Sequence, residues 1–89
     1  MDIEFDPAKD AANRDKHGVS LAFGTKVFDD DAHLILSSAR PVDGEDRFKV
    51  IGDVTGRLWT AIYVMRGEKI RFISVRKSND GEAKAYHSP

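Results

Sequence analysis

The chain has 89 residues, 40% of them hydrophobic and 33% charged, with a formal net charge of −1. That length makes one small domain, 1–89, with a core modest enough for a partner to add stability, and the lack of cysteine excludes a disulfide framework and a thiolate zinc site. No run approaches a membrane span and the N-terminus is acidic rather than signal-like, so a cytoplasmic protein is expected.

Ile3-Glu4-Phe5 alternates and is short, which reads as an edge strand. Asp6-Pro7 is a helix start: the aspartate caps and proline suits the first helical position. Ala8, Ala11 and Ala12 give the helix a small-residue face for close packing. Lys16 and His17 lie in its last turn, where positive charge suits the dipole, and Gly18 ends it. Ser20 is expected to cap a second helix from Leu21 to about Phe28, whose apolar contribution is Phe23 and Val27 at i and i+4, flanked by Leu21 and Phe28. Gly24 weakens it. Asp29-Asp30-Asp31 reads as a solvated turn rather than a metal site, since no carboxylate ladder or glycine supports the latter.

His33 to Leu36 is a short strand, and Ser37 to Asp46, with Pro41 and Gly44, a loop. Arg47 to Val54 follows, with Phe48, Val50 and Val54 on one face and Arg47, Lys49 and Ile51 on the other. Arg57 to Met65 is apolar on both faces, like a central strand. Lys69 to Arg76, β-branched and aromatic without glycine or proline, also reads as central and organises the chain. Turns at Thr55-Gly56 and Arg66-Gly67-Glu68 join these runs into an antiparallel meander. Asn79 and Glu82 have capping-box spacing at the start of a last short helix. The expected fold is α+β: a small antiparallel sheet, two N-terminal helices packed on it and a short C-terminal helix, in the order β-α-α-β-β-β-β-α.

The near-zero net charge hides an asymmetry. Residues 1–46 carry 5 Lys/Arg against 11 Asp/Glu, whereas residues 47–77 carry 8 against 2. The sheet is therefore basic, which points to an anionic ligand unless the two halves neutralise one another. An arginine in a buried strand needs a paired charge or an anion beside it. Arg71 and Arg76 fall on opposite faces under strict alternation, so either a bulge re-aims one of them or only one faces the ligand. Trp59 and Tyr86 have the chemistry to stack on bases. A core position accounts for Trp59 better, and anchoring of the last helix accounts for Tyr86 as well. His17, His33 and His87 lack zinc-ligand spacing, and Gly52, Gly56 and Gly67 form no phosphate loop.

Phe5-Asp6-Pro7-Ala8-Lys9, Ala12-Asn13, Lys16-His17-Gly18-Val19-Ser20 and Val27-Phe28-Asp29-Asp30 resemble the N-terminal signature of BrnT family toxins. The second half is similar too, through Gly44-Glu45-Asp46-Arg47, Ile51-Gly52, Gly56-Arg57-Leu58 and Ile70-Arg71-Phe72-Ile73-Ser74-Val75-Arg76-Lys77, ending at Tyr86. The resemblance implies a RelE-like fold and the toxin of a type II toxin–antitoxin system. It implies a metal-independent ribonuclease that inhibits translation and needs no cofactor. It also implies a BrnA-like ribbon-helix-helix antitoxin that neutralises the toxin and through which alone operator DNA is bound. Carried over by motif position, His17, Arg47, Arg71 and Arg76 are the expected catalytic residues, with His17, Lys49 or Glu45 moving protons and Lys26, Lys49, Lys77 and Tyr86 binding RNA. The last helix departs from the family pattern: only Lys84 is basic where relatives carry several arginines. That departure keeps an alternative in view, a weakly active toxin-fold module that acts mainly by binding its antitoxin and modulating operon DNA binding. A stand-alone single-strand nucleic-acid binder is a third, weaker reading.

Overall fold

In chain order the elements are β1 (Ile3–Glu4), α1 (Pro7–His17), a 3₁₀ turn over Leu21–Phe23 that runs into α2 (Gly24–Phe28), β2 (Leu34–Ser37), β3 (Arg47–Val54), β4 (Arg57–Arg66), β5 (Lys69–Lys77) and α3 (Asp80–His87). The structure is a computed structural model that describes residues 1–38 and 46–88. Most of the loop expected between Ser37 and Asp46, with Pro41, Gly44 and Glu45, lies outside the described residues.

The strands form one sheet in the order β1-β5-β4-β3-β2. The sheet is mixed, not antiparallel as expected, because β1 pairs with β5 in parallel, Ile3 opposite Ile70 and Glu4 opposite Arg71. Helices separate β1 from β2, so β1 belongs to no hairpin, and only a hairpin turn would impose the antiparallel direction. The other four strands are the expected meander. Thr55 and Gly56 both take positive φ, 50° and 89°, the geometry of a two-residue turn matched to strand twist. The central strand is β4. β5 lies one place outward, between β4 and the two residues of β1.

One face of the sheet packs under α1, the 3₁₀ turn and α2. Leu21, Val27, Val50, Trp59, Ala61, Tyr63, Phe72 and Val75 are its buried core. Trp59 is a core residue, tilted against Phe23 with ring centroids 4.8 Å apart. Phe28 meets Tyr63 edge-on at 5.3 Å. Among the described residues no helix is long and apolar enough to cross a membrane.

The helices depart from expectation in three ways. The second helix is split, its first turn 3₁₀ and its last five residues α. Gly24 sits at the junction, where a Cβ would lie 2.7 Å from Cζ of Phe72. The glycine therefore permits a close approach to an aromatic ring, and that matters more than its cost in helix propensity. Ser20 makes no side-chain cap bond. Asp10, from α1, supplies it instead: Oδ1 accepts from the Leu21 N–H at 2.7 Å. Lastly, Ala8, Ala11 and Ala12 are exposed, and the buried residue of α1 is Asn13. The alanine face does not carry the packing, because a polar side chain has a better partner on β5.

The rest of α1 follows the sequence. Asp6 caps it by accepting from the Ala8 N–H at 3.1 Å, and Gly18 ends it at φ 79°. The α3 capping box is complete, with Asn79 Oδ1 accepting from the Glu82 N–H and Glu82 Oε1 accepting from the Asn79 N–H.

Candidate functional site

The sheet face turned away from α1 and α2 carries the cations. A register shift decides this. Ile62 lies opposite Ser74, but Tyr63 lies opposite Phe72, so Ile73 is an extra residue on β5. The bulge lets Phe72 and Val75, three positions apart, both face the core. It also places Arg71 and Arg76 on the same outer face, where uninterrupted alternation would separate them. Arg76 lies opposite Thr60, and Arg71 opposite Val64.

Reading across the ladder gives three rows on that face. Arg47, Val64, Arg71 and Glu4 form one row over four strands. Leu36, Lys49, Ile62 and Ser74 form the next, and Leu34, Ile51, Thr60 and Arg76 the third. Arg47 and Arg71 are two strands apart, about 10 Å between backbones, on either side of the buried Val64. Arg76 is farther along the strand direction, about 13 Å from that row.

Arg71 and Glu4 face each other loosely, Nη1 to Oε1 at 3.8 Å, each about a third exposed. Such a pair contributes little and leaves the guanidinium available. Arg76 is held very differently. Its two terminal nitrogens donate to the two oxygens of Glu82 at 2.7 and 2.8 Å. Lys49 Nζ adds a bond to Oε2 at 3.2 Å, and the Thr60 hydroxyl one to Oε1 at 3.0 Å. With the Asn79 N–H, the carboxylate accepts five hydrogen bonds and is only 3% exposed. Burial by itself would raise the Glu82 pKa. Arg76, the Asn79 N–H and Lys49 outweigh it and bring the pKa down to about 2. Glu82 is therefore charged at any physiological pH, and α3 is seated on the basic face by it.

His17, at the end of α1, lies beside the outer edge of β5. Burial, then the charges of Lys16 and Arg76, hold its imidazole below the ordinary range, so it is neutral near pH 7. A cleft of about 270 Å³ opens there between α1 and the bulge, lined by Lys9, Ala12, Asn13, Lys16, His17, Ile73 and Ser74. His17 is thus brought near Arg76 but not to the Arg47–Arg71 row.

The remaining expected RNA contacts are dispersed. Lys26 is on α2, exposed, its ammonium 5.5 Å from the Phe23 ring centroid, in the layer that covers the opposite face. Lys77 is exposed at the end of β5, opposite Trp59. Tyr86 donates its hydroxyl to Asp30, and this bond pushes the phenol up to about 12. Asp30 also accepts from the Asp53 and Ala32 N–H groups at 2.8 and 3.0 Å. Of the acidic triplet, Asp29 and Asp31 are exposed, but Asp30 is a hub joining α2, β3 and α3 rather than part of a solvated turn. Glu45 lies outside the described residues.

Sequence reasoning identified Glu82 as a capping residue but not as the centre of the ion cluster. The available signal was an arginine near the end of β5, in a run that reads as a central strand, followed six residues on by a carboxylate at a helix start. Asn13 was likewise missed; it was visible only as part of a motif.

The family model described as "Ribonuclease toxin, BrnT, of type II toxin-antitoxin system" matches residues 5–82. No curated protein matches the chain.

Proposed function

We propose, from the premise that the chain belongs to the BrnT family of ribonuclease toxins of type II toxin–antitoxin systems, that its outer sheet face grips and cleaves RNA and thereby inhibits translation. The observation that carries this reading is the β5 bulge, which gathers Arg71 and Arg76 onto the face that already holds Arg47 and Lys49. We read the fold as RelE-like on the same grounds, a sheet whose far side is covered by helices and whose near side is charged.

RNA cleavage by internal attack needs the 2′-hydroxyl deprotonated, the five-coordinate phosphorane stabilised and the leaving oxygen protonated. Neutral His17 is suited to take a proton at the Arg76 end of the face and, once charged, to return it to the leaving oxygen. Arg47 and Arg71 present planar forks that match phosphate oxygens from two sides of Val64. Lys49 and Arg76 extend the positive field along the strand, and Lys9 and Lys16 continue it into the cleft at His17. Lys77, exposed at the end of β5, stands as a peripheral contact to the RNA backbone, whereas Lys26 lies in the layer over the opposite face and the Tyr86 hydroxyl is held by Asp30.

The partner we propose is an acidic ribbon-helix-helix antitoxin of the BrnA type, acting in the cytoplasm. It covers the basic face, and operator DNA is reached only through it. A second reading is favoured by one contact: the Arg76 fork is spent on Glu82. On that reading the chain is a weak nuclease whose main task is to bind its antitoxin and tune operon DNA binding.

An RNA cleavage assay with and without EDTA, on wild type, Arg71→Ala and Arg76→Ala, separates the two. Cleavage that survives EDTA and falls on the order of 10²-fold or more in folded Arg71→Ala supports the nuclease. Tight antitoxin binding by a wild-type protein that cleaves nothing supports the module.

A further inference from the structure

The five bonds to Glu82 describe an anion site that is already full. An arginine fork, a lysine ammonium and a threonine hydroxyl converge on two oxygens of one buried group. The same donors recognise the paired non-bridging oxygens of a phosphodiester, because the fork matches any planar O–X–O pair carrying negative charge. The Thr60 hydroxyl gives its proton to Glu82, which leaves its oxygen to accept from the Ser78 hydroxyl 2.7 Å away.

The residue occupying this site is on an element built to leave. α3 has eight residues, too few to stand alone as a helix in water. Its buried residue is Glu82 itself. Its second tie to the body is the Tyr86 hydroxyl on Asp30. Both of these ties are polar, and the ion pair, costly to break outright, can be exchanged for another anion that meets the same buried donors. An incoming anion that takes over Arg76 and Lys49 replaces what the sheet loses.

We propose that Arg76, Lys49 and Thr60 form a phosphodiester seat on the outer face, with the Glu82 carboxylate as its resident placeholder, and that an RNA backbone phosphate displaces Glu82 and lifts α3. This rests on the reading of the face as an RNA surface. It explains how the Arg76 fork is both engaged in the free protein and part of the binding face. RNA affinity is then set by competition within the chain, and any change that loosens α3 raises it.

The test uses a 2′-O-methyl oligoribonucleotide, which lacks the 2′-hydroxyl proton and resists cleavage. Its binding to wild type, Glu82→Gln and Tyr86→Phe is measured by fluorescence anisotropy, and amide exchange of α3 is followed in parallel. Glu82→Gln keeps the shape but removes the competing charge, and affinity is expected to rise about 10-fold or more. Tyr86→Phe leaves the seat intact, keeps an aromatic ring and removes the tie to Asp30; affinity is expected to rise several-fold. Adding the oligonucleotide to wild type is expected to speed exchange of the α3 amides. Arg76→Ala in the Glu82→Gln background should cancel the gain. Unchanged or weaker binding in folded Glu82→Gln, or in Tyr86→Phe if Glu82→Gln does not fold, overturns the seat. If wild type cleaves RNA while these affinities do not move, the seat fails and the nuclease stands. If nothing cleaves RNA but both variants bind tighter through Arg76, the nuclease fails and the seat stands.

Discussion

Asn13 pairs with Val75 as one strand pairs with another. Its Nδ2 donates to the Val75 carbonyl at 2.9 Å, and its Oδ1 accepts from the Val75 N–H at 3.0 Å. Nδ2 donates again to the Val19 carbonyl at 2.9 Å. β1 covers the outer edge of β5 only at Ile70 and Arg71. Beyond that point a side-chain amide does what a further strand would do, and α1 blocks the edge against stray pairing. The same contact fixes His17, one turn farther along α1, beside Arg76.

Asn13→Ala is therefore expected to destabilise strongly. It strips partners from a buried N–H and a buried carbonyl, each worth about 1–3 kcal/mol when left unsatisfied. A total of about 3 kcal/mol lowers the melting temperature by about 10 °C or more in a domain of this size. Asn13→Asp should be nearly as costly, since a carboxylate accepts from Val75 but cannot donate to it. Thermal denaturation followed by circular dichroism checks both. A melting temperature within a degree or two of wild type would show that the edge is closed by something else.

Glu82 makes acid stability predictable in sign. Its folded pKa, about 2, lies below the ordinary 4.5. A group depressed in this way stabilises the fold above its unfolded pKa, and the contribution is lost as pH falls from about 4.5 through about 2. The contribution is on the order of 3 kcal/mol by linkage. Denaturant melts between pH 5 and pH 2 should show stability falling along this limb in wild type and a flatter limb in Glu82→Gln. Parallel limbs in the two proteins would mean that Glu82 is not the titrating group.

The part of the molecule legible in sequence is the part fixed by neighbours in the chain. Asp6, Pro7 and Gly18 delimit α1, Asn79 and Glu82 start α3, and Thr55-Gly56 turns β3 into β4, because each involves residues within a few positions. What escaped depends on residues far apart. Asn13 and Val75 are separated by 62 positions and Tyr86 from Asp30 by 56. Neither pairing has a local signature. The bulge at Ile73 has none either: with no glycine or proline to mark it, strict alternation put Arg71 and Arg76 on opposite faces. It shows only in the demand that Phe72 and Val75 both be buried. The alanines of α1 misled because small residues suit a packed face and an exposed one equally well. The basic character of the sheet was legible from composition, but the capture of Arg76 by Glu82 was not.

Both tyrosines should titrate late. The chain has two, Tyr63 and Tyr86. Burial raises the phenol of Tyr63, and the hydrogen bond to Asp30, more than burial, raises that of Tyr86 to about 12. Each therefore favours the fold below the ordinary value of 10.0, and that contribution is lost as pH climbs through the folded pKa. Ultraviolet titration of the native protein should show both phenolate steps above 10.0, that of Tyr86 at about 12. Asp30→Asn should lower one step, that of Tyr86, and leave Tyr63 unmoved. A Tyr86 step at the ordinary value in wild type would disprove the Asp30 tie and, with it, a polar anchor of α3.

Arg47 and Arg71 face each other across Val64 in a single row of the sheet. If both forks grip one phosphate, they act as a unit, and their losses do not multiply. Arg47→Ala and Arg71→Ala are each expected to reduce the cleavage rate by about 10²-fold, as loss of one oxyanion donor does. The double variant should then fall only slightly below either single one. Two independent contacts would instead give a loss of about 10⁴-fold. Arg71→Lys keeps the charge without the fork and should recover a part of the rate, which distinguishes bidentate holding from a general positive field. Single-turnover cleavage of a short RNA, with a thermal melt of every variant to confirm folding, decides among these outcomes. Fully multiplicative losses would place the two arginines on different phosphates and break up the row as a catalytic unit.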